Sequence, residues 1–513
     1  MSARIAVLAD LGQDVYHAGD EAMGHAAADE LRSRGLEVLL LSRNPEQTEQ
    51  LFGCPAAATL PFPWPPAERE AYLQQIRSHL EGSAELPAED PARALIRVLS
   101  ECDGVLVAGG GNLNSRYGWL LYERAAVVAV ARALGKPVVI SGQTLGPQLT
   151  APDTLVLAGM LEAAELTSMR EPASLQLARG LGVAAVAGLD DASFLATVEF
   201  LAGEPAAVEP VTGKPATGEP EGARADALAE GLPDNGYVAV TVAPSSEVPD
   251  DFSVRLGEQL DALYRRTGLP AVFIPHMGIG AERGWDIDSH ARIAASMTTP
   301  SLQLPVLPAR RVAALTTGAS LVLTSRYHPA VFAVSAGVPV LALATDAYSG
   351  VRLAGAMANW GLADYVLPLP ALSEGLLGPA LAEAWQRRTD ISGHLAAVLP
   401  SRSAWSRSWW DAVAAVFSGQ PPAHGSVADL PGTASFAASG EWLAAAQRSA
   451  AGFYPRSRME AQAGVEEDRI RSYTQQQSRE FADLQAEHRR LLSSRTVTMA
   501  LALHRAYAKL LRR

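Results

Sequence analysis

LVLTSRYHPAVFAVSAGVPVLALA, residues Leu321–Ala344, reads as a strand, a helix and a second strand with almost no polar interruption. Short apolar runs on either side of a helix are the unit of a parallel sheet covered on both faces. Two polar residues break the run. Arg326 and His328 stand two positions apart, just past the carboxyl end of the first strand. In a parallel sheet the ligand crevice lies outside the carboxyl strand ends. Both side chains are therefore expected at a cleft, aimed with little freedom. Pro329 suits the first turn of the helix that follows. A histidine satisfied in the core is the plainer reading of one such residue; an arginine and a histidine together favour a site.

The same alternation extends outward in both directions. Upstream, RIAVLAD, LEVLLLS, CDGVLVAGGG, KPVVISG and VAAVAG read as strands. DEAMGHAAADELRSRG, WLLYERAAVVAVARALG and ASLQLARGLG read as the helices between them. Residues 201–235 interrupt the pattern with Pro, Gly, Ala and Glu and few large apolar residues, so they read as a flexible linker or insertion. The alternation resumes with YVAVTVAP, SVRLGEQLDALYRRTG, LPAVFIPHM, DSHARIAASM and ARRVAALTTG. The predicted fold class is α/β, with two Rossmann-like wound lobes, a cleft between them and a helical C-terminal tail. The expected boundaries are 1–200 for the first lobe, 236–418 for the second with its closing helices, 419–440 for a linker and 441–513 for the tail. In the closing region LGPALAEAWQRRTDISGHLAAVL and AWSRSWWDAVAAVF read as helices.

Composition narrows the function. A chain of 513 residues is too long for one core. Its net charge of −13, with no long basic stripe in the first 450 residues, argues against nucleic acid as a main partner. Cys54 and Cys102 form no framework or zinc cluster, which leads us to expect reduced thiols in a cytoplasmic protein. The best candidate span, AAVVAVARALGKPVVI, is broken by Arg132, Gly135, Lys136 and Pro137, so no transmembrane helix is expected.

Five further places share the address of Arg326 and His328. Gly19 and Asp20 open the first helix, where free N–H groups favour an anion or polar ligand; a plain capping role for Asp20 is the alternative. Gly109, Gly110 and Gly111, followed by Asn112, let the backbone approach a ligand closely, or simply make a tight turn. SGQTLGP puts Gln143 and Thr144 at a strand end. Arg170 closes a strand and can meet a carboxylate or phosphate as a fork, or pair with Glu171. His276, in FIPHMG, has the same place in the second lobe. Asp286 and Asp288 lie a little beyond it, but no ligand spacing supports a metal, and none is expected.

Taken in order, GDEAMG, GGGNL, GQTLGP, SMREPAS with GLDDASFL, IPH and SRYHPAVFAVSAGVPVLAL resemble the polysaccharide pyruvyl transferase family over residues 3–365. The resemblance implies a two-lobed, GT-B-like enzyme. It would transfer the pyruvyl group of phosphoenolpyruvate to two hydroxyls of a sugar, as a cyclic ketal, and release phosphate. The donor is a substrate and no cofactor is implied. The acceptor would be a sugar or lipid-linked saccharide of a cell-envelope or exopolysaccharide precursor. On this reading Arg170 and Arg326 hold the anionic ends of the donor and His328 is the general acid/base. His276 serves as a second proton-transfer group or phosphate contact, and Asp20 orients a sugar hydroxyl. The chain departs from the family in the 201–235 insertion, in the tail, and in offering Arg352 where a lysine often follows the last strand. Two other readings stay open: a GT-B-like glycosyltransferase using a nucleotide sugar, and a non-catalytic scaffold of a polysaccharide assembly. The end of the tail, HRRLLSSRTVTMALALHRAYAKLLRR, is basic and apolar. It can lie at the inner face of an anionic membrane or pair with a partner helix.

Overall fold

A computed structural model describes residues 2–195, 232–244, 248–279, 284–420 and 427–510. The insertion expected at 201–235 falls almost wholly outside them.

Two parallel sheets carry the fold. In the first lobe the strands run, in spatial order, Ala56–Ala58, Glu37–Ser42, Arg4–Leu11, Gly104–Val107, Val138–Leu145, Leu166–Met169 and Val186–Ala187, with Gly110–Leu113 added beside Val138–Leu145. In the second the order is Ser301–Gln303, Ala271–Phe273, Val238–Thr241, Leu321–Thr324, Val340–Ala344 and Val366–Pro368. The strand that opened the sequence reading is central there, pairing Val322 with Ala239 on one side and with Val340 on the other. Its four residues are all buried, as its unbroken apolar run requires.

Three expectations need correction. GGGNL is not a bare turn, because Gly110–Leu113 pairs with the strand Val138–Leu145. That strand in turn runs on through Gln143 and Thr144, so these residues lie within the sheet. The break between the two closing helices falls at Arg387 and not at Pro400: the first expected helix divides into Leu377–Gln386 and the start of a second helix, which runs on through Pro400 as Arg388–Phe417. Burial explains its continuity: Ile391, Leu395 and Val398 pack in the core of the second lobe, while Trp405, Trp409, Trp410, Val413 and Phe417 fill the core of the first. Trp409 Nε1 also donates to Ser141 Oγ at 2.9 Å.

The tail forms two helices, Trp442–Ser493 and Arg495–Leu510. The first begins as part of the second lobe, with Trp442, Ala446 and Phe453 in its core. It then crosses to the first lobe. Gln462 bonds both the N–H and the carbonyl of Leu149, Ser472 Oγ accepts from Ala67 N at 3.1 Å, and Arg479 pairs with Glu68 at 2.8 Å. Beyond Arg479 the large apolar side chains Phe481, Leu484, Leu491, Met499, Leu503 and Tyr507 are exposed. No described helix is long and apolar enough to cross a membrane.

Candidate functional site

The lobes meet where their strands end. A two-stranded antiparallel ribbon joins them, with His17 opposite Met277, and Ala18 N donates to the carbonyl of His276 at 2.9 Å. Glycine makes this approach possible. A Cβ on Gly19 would stand 2.6 Å from Cγ of His328, inside any real contact distance. A Cβ on Gly111 would lie 3.1 Å from Arg352 Nη1 and 3.2 Å from Arg170 Nη2. The two guanidinium ends, Arg170 of the first lobe and Arg352 of the second, therefore converge on one glycine of the first lobe's sheet edge.

Arg170 is buried and largely engaged. Nε donates to Thr144 Oγ1 at 2.9 Å and to Glu171 at 3.0 Å, and Nη1 donates to Asp190 at 2.6 Å. Its plane lies 4.3 Å over the ring of Tyr327. Burial alone would loosen its proton, but Tyr327, Glu171 and Asp190 outweigh burial and keep it firmly charged. Arg326 caps the helix Tyr327–Ser335 and pairs with the Asp286 carboxylate, leaving a buried Nε without a partner among the described residues. Burial would raise the Asp286 carboxyl, yet Arg326, His290 and the His276 N–H hold it below the usual range. Asp286 thus fixes both Arg326 and the His276 backbone. Arg352, on the helix Ala347–Ala358, stacks at 4.1 Å on Tyr348 and at 5.5 Å on Tyr327. Among the described residues it makes no ion pair, and its buried Nε has no hydrogen-bond partner.

His328 Nε2 lies 3.7 Å from Asp190 and is buried without a hydrogen bond among the described residues, as is His276 Nε2. The ring of Phe332 packs near both imidazoles. Burial, then Arg170, Arg352 and His17, pushes the His328 pKa well below its ordinary value. Burial does the same to His276 despite Asp286. Both rest as neutral imidazoles. Asp20 moves the other way: burial and then Asp10 push its carboxyl up to about 7, against the pull of Arg124, Arg170 and Arg352.

The predicted residues do not all reach the same place. Gly19, Asp20, Gly111, Arg170, His328 and Arg352 come together, with His276 and Arg326 beside them at Asp286. Gly110 contributes backbone to the sheet. Asn112 donates to Asp10 at 3.0 Å, which fixes the glycine strand to the end of the first strand. Gln143 is fully buried, donating to the carbonyls of Ala108 and Ser141, and supports the same strand from behind. Sequence reasoning passed over Asp10, Tyr327 and Tyr348, and gave Asp190 and Asp191 no role. Asp10, Asp190 and Asp191 were findable, since Asp10 stands near the carboxyl end of the first strand and the other two follow the strand Val186–Ala187 at the same edge. Tyr348 donates to the Gly111 carbonyl at 2.6 Å across the lobes, a contact without local signal. Among the described residues no group of three or more His, Cys, Asp or Glu side chains is placed to hold a metal.

The fold is shared with other solved structures. A crystal structure from Listeria monocytogenes, provisionally identified as a UDP-N-acetylglucosamine 2-epimerase, aligns with a TM-score of 0.51 at 12% identity, over 82% of this chain and 99% of that one. The UDP-GlcNAc 2-epimerase of Neisseria meningitidis, bound to UDP-GlcNAc, gives 0.49 at 12% identity over 77% and 94%. UGT89C1 of Arabidopsis thaliana gives 0.47 at 11% identity over 81% and 100%. The first likeness identifies the two-lobed arrangement as GT-B. No curated protein matches the sequence. The family model for polysaccharide pyruvyl transferase matches residues 17–347, from the inter-lobe ribbon to the start of the helix that bears Arg352, and the chain belongs to that family.

Proposed function

We propose that this transferase uses phosphoenolpyruvate as donor and converts a diol of a saccharide into a pyruvyl ketal. The observation that carries the reading is the meeting of Arg170 Nη2 and Arg352 Nη1 at Gly111, with no direct ion pair on Arg352 among the described residues. Two like charges this close, one of them without a directly bonded carboxylate among the described residues, suit a ligand with more than one negative group. Phosphoenolpyruvate has a carboxylate and a phosphate. Arg326, held by Asp286, keeps the third guanidinium at the second lobe's strand end.

The chemistry follows from the titratable groups. Protonation of the methylene carbon makes the central carbon electrophilic. One sugar hydroxyl bonds to that carbon, and the bond to phosphate oxygen breaks. The second hydroxyl then closes the ring. Of the two hydroxyl protons, one replaces the proton given to carbon and one leaves with phosphate, so no water is consumed. Asp20, protonated near neutral pH, can supply the first proton. His328 is neutral and its Nε2 accepts no hydrogen bond among the described residues, so it can accept one. An anionic donor beside it raises its basicity, because it offsets Arg170 and Arg352.

Calorimetric titration with phosphoenolpyruvate tests this, run in two buffers of different ionisation enthalpy and repeated with Arg352→Ala. The wild type binds with proton uptake. The variant binds roughly tenfold to a hundredfold more weakly, the range expected for one charge-assisted contact. Binding of a UDP-sugar without binding of phosphoenolpyruvate would overturn the donor assignment in favour of glycosyl transfer.

A further inference from the structure

Trp64 is 68% exposed, an unusual place for the largest apolar side chain. It is also rigidly held. It sits in Pro61-Phe62-Pro63-Trp64-Pro65-Pro66, where four prolines restrict the backbone and Phe62 is buried. Its carbonyl accepts from Arg69 Nη1 at 3.0 Å. Arg69 is itself buried, paired with Asp153 and packed against Gly118, where any Cβ would collide with its guanidinium.

From Trp64 a line of rings leads inward. Trp64 stacks on Trp119 with centroids 3.8 Å apart and planes 12° from parallel, so its exposure falls on its outer face and edges. Tyr117 meets Trp119 edge-on at 5.8 Å, and Tyr348 lies 5.9 Å beyond Tyr117. Tyr348 carries Arg352 on its face and bonds the Gly111 carbonyl, which places the inner end of the line in the cleft. Polar groups flank the middle: Arg116 lies 5.7 Å over Tyr117 and pairs with Asp346 at 3.2 Å.

We infer that this line is an extended binding track for the saccharide acceptor, with the outer sugars on Trp64 and Trp119 and the reacting sugar near Tyr348. The inference rests on the reading of the cleft as the transfer site. Pyranose rings present flat C–H faces between equatorial hydroxyls. Fixed aromatic faces with ionic groups alongside match both features, and ordering them in advance lowers the entropy lost on binding. A core packing pair needs none of this, since Trp64 lies outside the core clusters while Trp119 packs against one of them.

The test uses the full chain, fluorescently labelled, on a microarray of bacterial cell-envelope and capsular oligosaccharides of graded length. It compares wild type, Trp64→Ala and Trp64→Phe, alongside the phosphoenolpyruvate titration. We expect the wild type to bind some oligosaccharides, the alanine variant to bind them about tenfold more weakly, and phenylalanine to restore most of the loss. Donor affinity stays the same in all three. Equal saccharide binding by wild type and Trp64→Ala, or no saccharide binding by the wild type, overturns the track. If phosphoenolpyruvate fails to bind while saccharide binding still depends on Trp64, the donor reading falls and the track stands.

Discussion

Gly19→Ala is the substitution whose consequence can be worked furthest. Gly19 is the second residue of the helix Ala18–Ser33, and its backbone is one an alanine can adopt. The added methyl would stand 2.6 Å from Cγ of His328, with Nδ1 and Cε1 closer still. Carbon atoms rest about 3.5–4.0 Å apart, so the imidazole, whose nearest atoms start closer than Cγ, must retreat by well over about 1 Å or the lobes must part. Overpacking of this kind costs about 1–3 kcal/mol, and alanine for glycine in a helix returns up to about 1 kcal/mol. Gly19 and His328 belong to different lobes, so the strain can be relieved by opening without unfolding either core. The penalty then falls on closure. The melting temperature should change by no more than a few degrees. The second-order rate constant for phosphate release from phosphoenolpyruvate should fall about tenfold to a hundredfold, in line with an ångström's displacement of a reacting group. Thermal melts and phosphate-release kinetics on the same preparations decide the matter. Unchanged kinetics would show that the approach of Gly19 to His328 has no part in turnover. A melting temperature lower by ten degrees or more would show that the contact holds up the fold instead, and either result refutes the reasoning.

Two other outcomes follow from the same geometry. The Asp20 carboxyl, raised to about 7 in the folded protein, binds its proton more tightly there than in the unfolded chain, so its contribution to stability is full below about pH 4 and is lost as pH rises through about 7. From pH 6 to 8 the wild type should therefore lose stability, and affinity for the anionic donor, more steeply than Asp20→Asn; some slope remains in the variant because Glu21, pushed up to about 8 chiefly by burial, titrates in the same direction. Equal slopes in melts and donor titrations would remove Asp20 from the account. For the tail, residues 488–513 hold seven Lys or Arg and no Asp or Glu, in a chain of net charge −13. A chain ending at Glu480 should keep the melting temperature of the whole protein and lose co-sedimentation with vesicles rich in phosphatidylglycerol, whereas failure of the full chain to co-sediment would dismiss a membrane role. Truncation at Gly440 is the wrong comparison, because it strips Trp442 and Phe453 from the core of the second lobe.

Strand and helix alternation made both sheets legible, because a parallel strand buried on two faces must be a short apolar run, and Leu321–Thr324 is one. What sequence could not register was where a single element serves two lobes. The sequence pattern leaves a gap between Leu399 and Ala404, at Pro400, yet a helix that buries Ile391 in one core and Trp409 in the other has packing on both sides to hold it together. The long tail helix is the same case, read as an appendage since its mean composition is polar, while Trp442 and Phe453 complete a core. Local pattern reports what a segment can form, and tertiary contact decides what covers it.

The candidate site divides along the same line. The address rule, that function gathers past the carboxyl ends of parallel strands, found Arg170, His276, Arg326 and His328 from position alone. It could not rank them, because the availability of a charge depends on its partner. Arg326 meets Asp286, forty residues earlier in the chain, and Arg170 meets Asp190, twenty residues later. Arg352, named only as a substitute for a lysine, rests on two tyrosine faces and makes no direct ion pair among the described residues, though Asp20, Glu171 and Asp190 lie within reach of its charge. An aromatic face stabilises a guanidinium without neutralising it. The arginine with the least local signal is therefore the one whose charge remains for a ligand, and its removal should weaken anion binding more than its place in the motif suggests.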